Sequence, residues 1–187
     1  MKELKRASLV FALFFVITGL GYPFLIRGLS RLLFPAQANG SLLIDKGQVV
    51  GSALIGQRFT SPGYFHGRPS AIDYDASNSG GTNFGPANGK LLAEVNSRIE
   101  KARAENGMGQ AEPVPADLVL ASASGLDPDI SLDAALLQVP RIARARGMSD
   151  DDVKGVVTAM ANGGYAGAPM RINVLRVNLA LDGWRAR

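Results

Sequence analysis

One membrane-spanning helix at the N-terminus, followed by a single mixed α/β (α+β) soluble domain, is the architecture to expect from this chain. Three observations carry that expectation. Residues 7–26 read ASLVFALFFVITGLGYPFLI, a run without charge. Basic residues fence it, with Lys2, Lys5 and Arg6 before it and Arg27 and Arg31 after it. The rest of the chain sets apolar segments of helical or strand period between stretches rich in Gly, Ser and Asn. The chain has 187 residues, no Cys and one His, which excludes a disulfide framework, a Cys-ligated metal centre and a multi-His metal site. Its formal charge of +4 resides entirely in residues 1–31, because the remainder carries equal numbers of acidic and basic residues. The charge therefore flanks the apolar run, and no basic surface for nucleic acid is expected.

The uncharged run of 20 residues forms a helix of roughly 30 Å at about 1.5 Å per residue, the thickness of a bilayer core. It has no polar face, unlike a helix on a soluble core. Tyr22 falls near one end, where an aromatic ring suits the interface. Cleavage after Ala38, in the small-x-small triplet Ala36-Gln37-Ala38, is the rival reading. The run exceeds the usual 7–15 residues of a signal peptide, and Arg27 and Arg31 intervene, so a retained anchor is expected. Basic residues balance across the span, so charge alone does not set its orientation. Ser8, Ala12 and Gly19, spaced by four and seven, form a small-residue stripe suited to contact with a partner helix. The chain thus divides into a tail (1–6), a span (7–26), a stalk (27–40) and a soluble domain (41–187).

Within that domain, Leu42–Ile44 and Gln48–Ile55 are β-like around an Asp45-Lys46-Gly47 turn. Ser61–Gly85 is a long loop. A helix is expected from about Ala87 to Ala104, with Leu91, Leu92, Val95 and Ile99 on one face. Leu118–Ala121 is expected as a short strand. Ser131 caps a helix to about Arg146, kinked at Pro140 and ended by Gly147. Ser149 caps a third helix whose Asp150, Asp151 and Asp152 suit the positive end of the dipole. Asn162–Pro169 is a Gly-rich loop, and Ile172–Leu179 alternates as a final strand.

Chemistry is sparse. His66 is the only histidine, and no G-x-S-x-G elbow, Ser-x-x-Lys pair or H-E-x-x-H accompanies it. Asp127–Ser131 resembles a calcium loop, but Leu132 and Gln138 stand where Gly and Glu are required. Ser79-Gly80-Gly81-Thr82-Asn83-Phe84-Gly85-Pro86 precedes a helix and could cradle an anion on its amides, although it lacks the phosphate-loop spacing. A loop with demanding backbone angles at a packing surface explains it better.

Six segments stand in a telling order: GSALIGQRF (51–59), YFHGRPS (64–70), SGGTNFGPAN (79–88), PADLVLASASGLDPDIS (115–131), QVPRIARARG (138–147) and NVLRVNL (173–179). Behind one N-terminal span they resemble the KdpC subunit family of the bacterial potassium-transporting P-type ATPase. Asp129 departs from the His of that family's D-P-H-I-S motif. The resemblance implies an accessory subunit of the inner membrane, with residues 1–6 cytoplasmic and 41–187 periplasmic. It implies three partners: a channel-like potassium-binding subunit, a P-type ATP-hydrolysing subunit and a small membrane peptide. It further implies a catalytic chaperone that raises ATP affinity, with no cofactor bound permanently and ATP reached through the complex. Any direct nucleotide contact would fall on Ser79, Gly80, Gly81, Thr82 and Asn83 for phosphate, Gln138 for a base edge and Arg141 for phosphate. The chain's own motifs agree on what is missing: Asp45-Lys46-Gly47 lacks the rest of a phosphorylation motif, and Gly163-Gly164-Tyr165 lacks the rest of a selectivity filter. The alternative is a membrane-tethered periplasmic enzyme or ligand-binding domain acting alone, and the lack of a nucleophile–base pair argues against it.

Overall fold

A computed structural model describes residues 1–164 and 169–183. The chain divides into two units, Met1–Leu43 and Ile44–Arg187.

In the first unit one helical rod runs from Lys2 to Leu33, long and apolar enough to cross a membrane and with none of its apolar window buried. This fits a single-pass membrane protein. The rod consists of α1 (Lys2–Phe14), a π-helical segment (Phe15–Gly21) and α2 (Tyr22–Leu33). The wide segment has a local cause. Pro23 lacks an N–H, and in an α-helix its ring would collide with the carbonyl four residues back, on Gly19. Widening the preceding turns removes that collision, and two glycines there make it cheap. Thr18 Oγ additionally donates to the Phe14 carbonyl at 2.7 Å. The helix outlasts the uncharged run by seven residues, and a further turn, α3 (Pro35–Ala38), follows.

Strands β1 (Leu42–Asp45) and β2 (Gln48–Ser52) form a two-stranded sheet, as the turn signal predicts, with Lys46 and Gly47 at φ 47° and 83°. No regular element occupies residues 53–88, so the long loop is real. Helix α4 (Gly89–Asn106) begins where the Asn88 side chain accepts from the Lys90 amide at 2.8 Å, and it ends at Gly107 with φ 67°. Of its expected apolar face, Leu92 is exposed, while Leu91, Val95 and Ile99 are partly buried.

The segment expected as a strand at Leu118–Ala121 is not one: its first two residues end a helical turn, α5 (Ala116–Val119), and the other two lie in no regular element. Pro115 starts the turn, and Asp117 carries its carboxylate to the Ser131 amide, a tertiary bond that no local pattern encodes. Strand β3 (Asp129–Ser131) leads into α6 (Leu132–Arg146), where Ser131 Oγ accepts from the Ala134 amide at 3.1 Å. Helix α6 continues through Pro140, whose ring lies on the exposed side. Helix α7 (Asp150–Met160) is capped by Ser149, with the three aspartates in its first turn. The Gly-rich stretch after it falls partly outside the described residues, but Asn162 pairs with Arg171 in an antiparallel bridge.

The expected final strand is also corrected. Strand β4 is only Arg171–Asn173, antiparallel to β3 with Ile130 opposite Ile172, and α8 (Val174–Leu181) takes the rest. Asn173 decides the switch by accepting from the Arg176 amide at 3.1 Å, an N-cap at the point where alternation seems to continue. The buried residues then follow as Val174, Leu175, Val177 and Asn178, a helical rather than a strand spacing.

The core lies where α6, α7 and α8 meet the β3–β4 pair, and it includes Ile130, Ile142, Val153, Val157, Ile172 and Val177. Each such side chain contributes about 1.5–3 kcal/mol by leaving water. Phe65, from the long loop, is fully buried among them. Where loops cross, backbones touch. Gly56 donates its amide to the Leu126 carbonyl at 2.8 Å, and a Cβ on it would sit 2.5 Å from the Asp127 carbonyl oxygen. Backbone cannot yield there, so Gly56→Ala is expected to cost about 1–3 kcal/mol. Gly155→Ala, in open space on α7, should instead gain about 0.5–1 kcal/mol. Thermal unfolding of both variants checks the contrast, and equal effects would refute the crossing as a constraint.

Candidate functional site

Three buried polar side chains of the soluble domain, Gln138, Arg141 and Asn178, converge on residues 62–66 of the long loop. Gln138 and Arg141 lie on the same side of α6, three residues apart, and both are buried. Gln138 Oε1 accepts from the His66 amide at 2.8 Å and from Arg141 Nη2 at 2.7 Å, while its Nε2 donates to the His66 carbonyl at 3.2 Å and the Ala134 carbonyl at 3.1 Å. Arg141 donates to the carbonyls of Pro62 (2.6 Å) and Tyr64 (3.0 Å) and, through Nε, to Asn106 Oδ1 at 3.0 Å. Desolvation by burial lowers its pKa, with Glu105 acting in the opposite sense. Asn178 on α8 performs the same service for Phe65, accepting from its amide at 2.7 Å and donating to its carbonyl at 3.0 Å. Arg146 closes the edge with bonds to the Gly63 carbonyl at 2.6 Å and Asp182 at 2.9 Å, its guanidinium lying over the Tyr64 ring. Side chains thus supply the partners that a strandless backbone lacks.

Two clefts border this joint. One, of about 380 Å³, is lined by Arg58, Arg68, Arg98, Lys101, His66 and Gln138 among others. Each of its four cations has an acidic partner: Asp73 for Arg58, Asp127 for Arg68 (2.9 Å), Glu94 for Arg98 (2.8 Å) and Glu105 for Lys101 (3.7 Å). The other, of about 340 Å³, is lined by Thr60, Pro62, His66, Glu105, Arg141 and Arg144 among others. His66 Nε2 lies 3.1 Å from the Ser61 carbonyl, and Nδ1 lies 3.5 Å from Glu105 Oε2. Burial, then the Arg141 charge, lowers its pKa from 6.5. The stability associated with the neutral ring is therefore complete above pH 6.5 and is lost as pH falls through the depressed folded-state value. Neither ring partner is a hydroxyl or thiol nucleophile. Among the described residues no group of three or more His, Cys, Asp or Glu could hold a metal ion.

The glycine loop forms a separate arrangement. The Gly80 amide donates to the Ser124 carbonyl at 2.9 Å, and Ser79 Oγ reaches the same oxygen at 3.3 Å. A Cβ on Gly81 would stand 3.1 Å from the Ala123 carbonyl oxygen. Thr82 is partly buried, and Asn83 is exposed with φ 54°. The loop is thus docked on residues 122–125, and no described hydrogen bond joins it to Gln138 or Arg141. Ser8, Ala12 and Gly19 are all exposed on the apolar rod, with Ser8 and Ala12 in α1 and Gly19 in the π-helical segment. Asp129 accepts from Asn173 Nδ2 at 3.1 Å, while that amide also donates to the Ala53 carbonyl at 2.9 Å.

Sequence reasoning did not single out Asn106, Glu105, Arg146 or Asn178 for this joint. Only Asn178 left a trace, as the lone amide in an otherwise apolar helical face.

A family model described as KdpC, the K+-transporting ATPase c chain, matches residues 4–183. The potassium-transporting ATPase KdpC subunit of Rhodopseudomonas palustris (strain BisB5) is 48% identical over 97% of this chain and 97% of its own length. Its counterpart in Gemmatimonas aurantiaca is 52% identical, over 97% of this chain and 93% of its own length. That of Burkholderia mallei (strain SAVP1) is 50% identical, over 100% and 99%. With nearly every residue of both helical rod and soluble domain covered, the chain belongs to the KdpC family of potassium-transporting ATPase subunits.

Proposed function

We propose that this chain acts as a non-catalytic accessory subunit that stabilises the pump's assembly and raises the ATP affinity of the hydrolysing subunit, as a catalytic chaperone. Its partners are the channel-like potassium-binding subunit, the P-type ATP-hydrolysing subunit and the small membrane peptide. The N-terminal rod anchors it in the bacterial inner membrane, and the soluble domain faces the periplasm. The observation that carries this reading is the family match across residues 4–183, rod and domain together.

The effect on ATP is best explained as coupling across the bilayer. ATP is cytoplasmic, and the soluble domain on this reading lies outside. Direct contact would also require Gln138 and Arg141 to surrender hydrogen bonds that hold the loop, at about 1–3 kcal/mol for each buried group left without a partner. Coupling requires only that the subunit favour one pump state over another.

Purification of the complex with and without this chain tests the reading. With it, the two large partners should co-purify and ATP should half-saturate hydrolysis at a lower concentration. A lone monomer turning over a substrate would refute the proposal, and an unchanged ATP dependence would refute the chaperone part.

A further inference from the structure

His66 belongs to a distinctive sequence segment, yet nothing above uses its imidazole. The ring has two nitrogens facing two acceptors, the Ser61 carbonyl at 3.1 Å and the Glu105 carboxylate at 3.5 Å. A neutral imidazole has one N–H and can serve only one of them. With Nε2 donating to Ser61, the Nδ1 lone pair faces the carboxylate across a gap too long for a strong hydrogen bond. A second proton makes Nδ1 a donor and the ring a cation, and such charge-assisted contacts shorten to roughly 2.7–2.9 Å.

The remaining parts are already arranged for this. The backbone on both sides of the ring is fixed, by Gln138 at His66 and by Asn178 at Phe65. Glu105 is only partly buried and stands in the last turn of α4, one residue before its end. The charged groups around the ring are Glu105, Lys101 and Arg98 from α4, Arg141 and Arg144 from α6, and Arg58 and Arg68 from the loop. Only Glu105 among them favours a second proton. Burial and Arg141 hold the proton off, which keeps the ring neutral at pH 7 and places the transition below pH 6.5.

We propose that His66 and Glu105 form a proton-operated clasp, in which acidification draws the end of α4 onto the loop at the wall shared by the two clefts. This goes beyond the subunit's part in assembly and ATP affinity and does not depend on it.

The chain has a single histidine, so one imidazole signal reports the event. The full-length chain in detergent micelles would be titrated by NMR, following the ring nitrogens and the backbone amides. The expected result is a midpoint below 6.5, with the amides of residues 59–67 and 101–106 shifting at that same midpoint. Glu105→Gln should weaken proton affinity by about three- to tenfold. Lys101→Gln should strengthen it, because it frees Glu105 from a competing cation. Glu105 is partly exposed, so its variant keeps the core, and retained Phe65 and Ile142 signals would confirm the fold. A midpoint unmoved by Glu105→Gln, or α4 amides indifferent to the titration, would overturn the clasp.

Discussion

Arg141→Met should remove about 3–5 kcal/mol from the soluble domain, one of the two largest losses expected from any single substitution. Arg141 is 7% exposed, and its guanidinium joins four acceptors on three segments: Pro62, Tyr64, Asn106 and Gln138. Truncation takes the guanidinium from the Pro62 and Tyr64 carbonyls and from Asn106 Oδ1, while Gln138 Oε1 keeps the His66 amide, and each group left without a partner away from water costs about 1–3 kcal/mol before relaxation. Met fills similar volume, so the loss measures bonding rather than a cavity. Arg141→Lys should recover less than half of it, because one ammonium cannot reproduce the planar fork. Chemical unfolding of the full-length chain in detergent, with an unchanged dependence on denaturant, checks the value. The experiment also separates two roles. A guanidinium reserved for nucleotide would leave stability within about 0.5 kcal/mol while ATP dependence changed; a loop clasp does the reverse.

What could be read in advance follows a physical division. The caps at Ser131 and Ser149 and the stop at Gly147 depend on residues within one turn of each other, and all appear where the pattern places them. The two misread segments fail for different reasons, one through distant partners and one through a local cap that the alternating pattern hides. Leu118–Ala121 is held by Asp117 reaching Ser131 and by Arg98 reaching the Val119 carbonyl. Ile172–Leu179 alternates in hydrophobicity, but the single amide of Asn173 turns it into a helix. The loop joint was half legible. Gln138 and Arg141 are named, but only as candidate nucleotide contacts, whereas their partners include backbone carbonyls more than 70 residues away. Carbonyls carry no sequence signature, so no spacing rule finds them.

The second large effect falls on Phe65. Its ring is fully buried and comes from a segment without strand or helix, while its core neighbours belong to regular elements such as α6, α7 and α8. Phe65→Ala should cost about 3–5 kcal/mol, the transfer of the ring plus the cavity left in a packed core. For a domain of this size the melting temperature should fall by roughly 10–20 °C. Phe65→Leu should lose less than half as much, since it keeps most of the volume. The test discriminates between two pictures of the long loop. If the loop were an appendage on a finished core, removing its ring would leave α6, α7 and α8 as protected from amide exchange as before. Here Asn178 from α8 and Gln138 from α6 bind the backbone on either side of that ring. Protection in all three helices should therefore fall together with the loop's. A loop that opened alone, with helix protection intact, would show that the core closes without it.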